Sequence, residues 1–394
     1  MNNCFEYYTL KLKTLSPVFV GSGKEVGKKE FCYSSKKDII RFINMNKFME
    51  YMVKMDMQDG KNRIQKFEDF MINKSKRDKT VNLNKFMNDI AVSVNDRNTV
   101  TIYKVKNNGC FDDEHSLSAI SCFMRKKENK AYIPGSSVKG MLRTVLLQYL
   151  IRENNYQPHC METDKKGNSK PPSKILAEEA ENAEKDLINI LPLKMRNGRA
   201  NINDAVNSIM KGLSISDSEF IDDSNFIVCR KFDIPGTSSC ENKMNSVREC
   251  LKRGVEVEFK IKIDKRYFKP ENIKLNFEQL FNKMVAEFDK EYSEFYLSKF
   301  PIPDGNKNDF NDSFVILGGG SGFFGKNITY TMNGFQKGLI KTSDNMKKNK
   351  INGKFVNPND YSVGISPHML KDTKIGDVYF HLGLCSVSLE RDIL

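Results

Sequence analysis

The densest group of side chains capable of catalysis is FDDEHS, which carries Asp112, Asp113, Glu114 and His115 in succession. Adjacent carboxylates can hold a divalent cation, and a histidine beside them can move a proton. Consecutive loop residues point in different directions, however, and short acidic runs are ordinarily solvated, so no cleavage chemistry is assigned to these four. The remaining histidines, His159, His368 and His381, are scattered. Four histidines in 394 residues, and nine cysteines without a C-x-x-C pair, leave no legible zinc ribbon or histidine-based metal site. The odd number of dispersed cysteines points to reduced thiols in a cytoplasm. No metal, no cofactor and no catalytic residue are expected.

A different chemistry recurs three times. GSGKEVGKK (21–29), PGSSVKGMLR (134–143) and GGGSGFFGK (318–326) each follow an expected strand and combine glycines with a basic side chain. Glycine lets a backbone approach a phosphate closely, and successive amide hydrogens can form an anion-binding concavity. One such loop can be only a turn; three in a basic chain point to a phosphate-bearing ligand. In the second loop Pro134 and Gly135 end a strand, and Ser136 or Ser137 can cap a helix whose apolar positions are Val138, Met141, Leu142, Val145 and Leu146. Lys139 and Arg143 then lie near the positive end of the helix dipole, which is unfavourable unless an anion sits there.

The third loop holds two near-matches to nucleotide-binding motifs. Gly320, Gly322 and Gly325 satisfy G-x-G-x-x-G, and Gly320 to Lys326 satisfies most of a P-loop. Asn327 stands where magnesium needs a hydroxyl, and the following NITYTMN reads as a strand where both motifs need a helix. Gly135 and Gly140 have P-loop spacing too, but Met141 replaces the lysine. Tyr132, Phe323 and Phe324 are placed to stack on unpaired bases, although one of the two phenylalanines is expected in the core. No stretch fits the RNP1 consensus of an RNA-recognition motif.

Charge supports a polyanion. Lys plus Arg number 63 against 50 for Asp plus Glu, a surplus of 13. Nucleic acid is the first candidate partner, an anionic membrane the second, and a lysine-rich surface without a partner the plain alternative. The start of the chain has no signal-like apolar core, and no run of about 18 apolar residues occurs, so no membrane span is expected.

The elements that position these loops mix strands with packing helices. Strands are expected at EYYTLKLKTLS, FCYSSKKDIIRFI (a hairpin), TVTIYKV, GLSISDS, NFIVCRKFDIP and VEVEFKIKID. Further hairpins are expected at SLSAISCFMRKKENKAYIP, with a charged turn, and at IGDVYFHLGLCSVSLE. Three helices are expected within 46–95, one over about 173–190, one over 202–211, and a long one at FEQLFNKMVAEFDKEY. The class is α+β.

LKTLSPVFVGSGKEV, YIPGSSVKGMLRTVLL and LGGGSGFFGK, in that order, together with SVRECLKRGVEVEFKIKI, resemble the RAMP proteins of CRISPR systems. Within that family the nearest match is the fifth Csm subunit of type III-A effector complexes. The resemblance implies two ferredoxin-like (RRM-like) domains with helical insertions. One would occupy 1–153 with an insertion at about 46–95, a loop and helical insertion would span 154–211, and a second domain with the glycine loop would span 212–394. It also implies a non-catalytic structural subunit that caps the 3′ portion of the crRNA, is needed for crRNA maturation, and meets the backbone RAMP subunit and trimming nucleases. RNA contacts would then fall on Gly21, Ser22, Gly23, Lys24 and Lys28; on Ser136, Ser137, Lys139 and Arg143; and on Gly320, Ser321, Gly322, Phe323 and Lys326. The alternative is a RAMP-type endoribonuclease that processes repeat RNA without metal, for which only His115 lies in the first β-containing unit.

Overall fold

A computed structural model describes residues 4–73, 81–111, 119–164, 166–193, 204–235, 242–270, 273–299, 313–348 and 369–392. In chain order the first elements are β1 (Phe5–Thr14), β2 (Gly21–Val26), β3 (Phe31–Ser34) and β4 (Ile39–Ile43). The helices α1 (Met45–Asp59), α2 (Arg63–Ile72), α3 (Leu83–Asp89) and α4 (Val94–Thr99) follow, then β5 (Thr101–Lys106), β6 (Ile120–Phe123), α5 (Gly135–Glu153) and α6 (Pro172–Leu187). The remainder comprises β7 (Leu213–Ile215), β8 (Phe226–Pro235), β9 (Asn242–Leu251), β10 (Glu256–Asp264) and α7 (Phe277–Phe295). It ends with β11 (Phe314–Ile316), α8 (Thr329–Lys348), β12 (Met369–Ile375), β13 (Val378–His381) and β14 (Leu384–Arg391).

Strand β10 shows why the first sheet forms. Val257, Phe259 and Ile261 are buried while Glu256, Glu258 and Lys260 face out, the period of a half-buried antiparallel strand. Its partners across the ladder, Leu12, Leu10 and Tyr8 of β1, are buried on the same face. The full order is β11-β14-β1-β10-β7, all antiparallel. Helices α5 and α7 cover the apolar face, with Phe277 of α7 5.2 Å from the Tyr8 ring. Asn276 and Gln279 close a capping box that fixes the start of α7. The path β1-α5-β7-β10-α7-β14, with β14-β1-β10-β7 in space, is a ferredoxin-like unit.

The second sheet runs β2-β6-β9-β8-β5-β4-β3, and β12 joins β8 and β13. Beside it α1 to α3 bury a small core of their own around Phe48, Met52, Phe67 and Phe86. The architecture is α+β, with two ferredoxin-like-type domains that carry helical insertions. Both sheets draw on both halves of the chain, since β1 lies between β10 and β14 and β6 lies beside β9. The divisions expected near 153 and 211 follow chain order, whereas the sheets interleave.

Several local expectations are corrected. GSGKEV is not a loop but strand β2, which pairs with β6 through a bulge between Gly21 and Glu25. The three helices expected within 46–95 form as α1, α2 and α3, and a short fourth, α4, follows at Val94–Thr99. Of SLSAISCFMRKKENKAYIP, residues 116–118 lie outside the described ones; the rest forms the short β6 and an antiparallel bridge, Arg125 to Ala131, across the charged turn. The bridge is flanked by the Lys126 N–H donating to the Lys130 carbonyl at 2.9 Å and the Tyr132 N–H to the Met124 carbonyl at 3.2 Å. Residues 205–212 form two 3-10 turns in place of a helix, because Asp204 and Ser208 side chains accept the N–H groups of Val206 and Met210. NITYTMN leads into helix α8, since burial of Ile328, Tyr330 and Met332 against the core overrides their strand propensity. The last two strands are not a hairpin. Gly383, at φ 91°, turns the chain so that β13 enters the second sheet and β14 the first.

Candidate nucleic-acid interface

Helix α5 begins at Gly135 with Pro134 at its N-cap, and neither Ser136 nor Ser137 caps it. The glycine is required by close approach: a Cβ there would lie 2.3 Å from the Ile215 carbonyl oxygen and 2.4 Å from that of Ser216. The Gly135 N–H donates to Asp217 Oδ1 at 3.0 Å, and Lys126 Nζ donates to Asp217 Oδ2 at 2.8 Å. The bond from Lys126, then that from Gly135, holds the Asp217 carboxyl below its usual range. The anion expected at this helix end is therefore supplied, at the first amide, by the chain itself. On the same turn Ser136 is exposed and Ser137 and Lys139 are half-buried. Burial pushes the Lys139 ammonium below its ordinary pKa, and no carboxylate among the described residues pairs with it. Arg143, one turn on, is paired with Glu184 of α6.

The glycine loop that follows β11 bends over the segment before β2. Gly318, Gly320 and Gly322 adopt φ of 82°, 97° and 92°, the left-handed region that favours glycine. A Cβ on Gly318 would lie 2.1 Å from the Phe19 carbonyl oxygen, the same oxygen that accepts the Gly319 N–H at 2.7 Å. Phe324 packs inward and stacks on Tyr296 with centroids 4.9 Å apart, while Phe323 is 36% exposed. Ser321 is buried, and its hydroxyl has no partner among the described residues. Helix α8 starts at Thr329, after a 3-10 turn at Phe324–Lys326, and the Asn327 side chain accepts the Thr329 N–H at 2.5 Å. A P-loop needs its helix to follow the lysine directly, so that near-match stays set aside.

Two of the three loops meet. A cavity of about 280 Å³ has Ser137, Gly140 and Thr144 of α5 on one wall and Gly318, Gly325 and Lys326 on the other. Arg248 of β9 approaches the same loop. Its guanidinium lies 5.5 Å from the Phe19 ring centroid, and its Nη1 would be 3.1 Å from a Cβ on Gly320. That Nη1 is buried and has no hydrogen-bond partner among the described residues. Burial, and then the Arg248 charge, push the Lys326 ammonium below its ordinary pKa. Two cations thus face one glycine loop with no carboxylate among the described residues between them, an arrangement that an anion would relieve. Arg248 is not among the residues expected from sequence; the signal for it is an Arg-Glu pair inside the apolar strand SVRECL, whose members must face opposite sides.

The first loop contributes less to this cavity. Ser22 Oγ donates to the Cys122 carbonyl at 3.2 Å and accepts the Lys24 N–H at 3.2 Å. Gly21 to Lys24 are exposed along the edge strand, and Lys24 overlooks a separate hollow of about 170 Å³ shared with Arg125 and Lys126. Lys28 sits at the junction with α3, where its carbonyl accepts the Leu83 N–H at 2.9 Å.

Potential proton-transfer groups lie elsewhere. Asp112, Asp113, Glu114, His115 and His368 fall outside the described residues. His381 is beneath the glycine loop but only 2% exposed, held between Tyr292 Oη at 2.6 Å and Asp372 at 3.2 Å. His159 pairs with Asp186 at 2.8 Å beside α6. Among the described residues no group of three or more His, Cys, Asp or Glu side chains could hold a metal, and no helix is long and apolar enough to cross a membrane.

The sequence matches the RAMP superfamily profile over residues 11–326. It is 27% identical over 341 residues to the CRISPR system Cms protein Csm5 of Streptococcus thermophilus, covering 83% of this chain and 82% of that one. It is 25% identical over 410 residues to the protein of the same name from Mycobacterium tuberculosis, covering 99% and 100%. Two solved structures share the fold. One is a chain of a type III-A Csm–crRNA–target RNA ternary complex, with TM-score 0.63, 18% identity and coverage of 97% and 100%. The other is Csm5 of T. onnurineus, with TM-score 0.59, 15% identity and coverage of 95% and 99%.

Proposed function

This chain belongs to the RAMP superfamily, and from that premise we propose that it serves as a Csm5 subunit of a type III-A Csm complex, binding guide RNA without cutting it. The observation that carries the reading is the unpartnered Arg248 Nη1 facing Lys326 across the glycine loop, opposite Ser137 and Gly140. A sugar-phosphate chain laid across that loop supplies the missing charge: a phosphate oxygen accepts from Arg248, and Lys326 recovers its ordinary basicity. The glycines let the loop lie close against Phe19, Arg248 and Ile316, which fixes the backbone that a phosphate would meet. Lys139 and Ser136 lie on the first turns of α5 beside this cavity, and Lys24 on β2, with Arg125 and Lys126, offers the strand a second, separate basic hollow. Phe323, still partly exposed, is positioned to stack on a base.

The 3′ portion of the crRNA is the segment assigned to this subunit, with the backbone RAMP subunit as its neighbour and trimming nucleases as visitors during crRNA maturation. The histidine beneath the glycine loop, His381, is sealed between Tyr292 and Asp372 and does not favour the endoribonuclease alternative, whose own candidate, His115, lies outside the described residues. The test is assembly of the whole Csm complex around either wild-type protein or Arg248→Ala/Lys326→Ala, followed by sequencing of the co-purified RNA. Loss of guide RNA, or guides with untrimmed 3′ ends, is expected for the variant. Identical RNA from both preparations refutes the role, and cleavage of repeat RNA by the purified subunit in EDTA refutes its non-catalytic character.

A further inference from the structure

We propose that a second basic cavity, on the far side of the second sheet, is a binding site for the phosphate group of a nucleotide. The cavity measures about 490 Å³ and is bounded by Lys106 of β5, Arg230 and Phe232 of β8, Lys243 of β9, Lys374 of β12, and Asp38 in the turn between β3 and β4. Four cations and one carboxylate leave a lining charge of 4 − 1 = +3. Asp38 lies 3.8 Å from Lys106 Nζ and can offset only that lysine.

Arg230 is the decisive group. Its residue is only 6% exposed, its Nη2 donates to the Cys110 carbonyl at 2.7 Å, and it makes no ion pair with a described carboxylate. A carbonyl satisfies one of the five guanidinium N–H donors and leaves the charge uncompensated. Buried charges are ordinarily paired, because an isolated one is expensive to desolvate. Lys374 is no better balanced, since its carboxylate neighbour, Asp377 at 3.8 Å, is fully exposed. Phe232, edge-on to Tyr379 at 5.8 Å and 88°, gives the cavity an aromatic wall beside its charge. Charge for a phosphate and an apolar wall for a base, in a volume typical of ligand sites, describe a nucleotide.

This site is distinct from the glycine-loop cavity. Arg230 is paired in the ladder with Val247, and Cys229 with Arg248, so Arg230 and Arg248 project from opposite faces of the sheet. Lys243 and Arg248 are also separated by five residues of β9, roughly 16 Å at about 3.3 Å per residue. The inference rests on burial and charge in this cavity and not on the role proposed above. The phosphate can belong to a free mononucleotide or to a bound RNA strand, and both present the same chemistry to Arg230.

The experiment uses the full chain, wild type and Lys243→Ala/Lys374→Ala, titrated with AMP, with inorganic phosphate and with single-stranded RNA. Both lysines lie at the rim, so the melting temperature should be unchanged; Arg230 is left intact because its removal endangers folding. A tenfold or greater loss of AMP and phosphate affinity assigns the site to free nucleotides, and a tenfold loss for RNA alone assigns it to a strand. Either result supports the proposal. Affinities within twofold of wild type for all three ligands overturn it. Lys139→Ala/Lys326→Ala, run in parallel, should weaken RNA and leave AMP untouched. If that variant binds RNA normally, the guide-RNA role fails, while the phosphate site beside Arg230 is judged by its own titrations.

Discussion

Replacing Lys139 and Lys326 together by alanine removes one cation from α5 and one from the glycine loop. Neither is engaged by a carboxylate among the described residues, and burial disfavours the charged form of both. Their loss should therefore leave folding stability within about 0.5 kcal/mol, the range of substitutions that break no buried contact. RNA binding is another matter. Each phosphate neutralised on a single strand contributes roughly −0.7 to the slope of log K against log salt. Two lost contacts should flatten the slope by about 1.4, which between about 50 mM and 1 M salt is close to 1.8 decades of affinity, or about 2.5 kcal/mol at low salt. The assay is fluorescence anisotropy of a labelled guide-length RNA across a potassium chloride series, with thermal unfolding measured on the same preparations. Parallel lines for variant and wild type would show that these ammonium groups do not meet phosphates. A collapsed melting temperature would show that they hold the fold, and would refute their electrostatic role.

Two neighbouring glycines of α5 should respond with opposite sign. Gly135→Ala drives a Cβ to 2.3 Å from a backbone oxygen and should destabilise by roughly 1–3 kcal/mol or more, whereas Gly140, with nothing within 4 Å of its Cβ position, should gain roughly 0.5–1 kcal/mol as alanine. Urea midpoints decide, and equal shifts would contradict the packing described for the helix start. Glu249 is fully buried, pairs with Arg125, and accepts from the Phe123 N–H at 3.0 Å and from Tyr103 Oη at 3.3 Å. Glu249→Ala leaves the Arg125 guanidinium over Tyr103 with Asp223 as its remaining described carboxylate and leaves the Phe123 N–H unpaired, and it should cost roughly 1–3 kcal/mol, read by chemical denaturation; no measurable loss would mean that water replaces the carboxylate.

What could be read from sequence was what local spacing dictates. EVEFKIKID announces a half-buried strand and FEQLFNKMVAEF an amphipathic helix, and both form where expected. Pro134-Gly135 marks a strand-to-helix turn because its restrictions are local. The failures depend on partners far away in the chain. Gly21 to Val26 becomes a strand only because β6, about a hundred residues later, lies alongside it. Ile328 and Tyr330 precede or enter a helix because the core accepts them there, against their own preference. Asp217 reaches the end of α5 from 82 residues downstream, so no inspection of PGSSVKG could reveal that its first amide was occupied. Arg248 was visible as a charge within an apolar strand, but its meaning required Phe19 and Gly320 beside it.

Strand β1 is held on one side by β10 and on the other by β14, and Thr9 Oγ1 donates to Asp392 at 2.7 Å across a sequence separation of 383 residues. A ribosome releases Leu10 and Leu12 long before the strands that cover their edges exist. Contacts of such separation are slow to close, and unpaired edges invite association meanwhile. The nascent protein must therefore hold its first strand unpaired until β10 has emerged, and paired along one edge only until β14 follows. Expression as separate halves would leave each fragment with an orphaned sheet, and losing β14 would undo an edge that β1 alone cannot close.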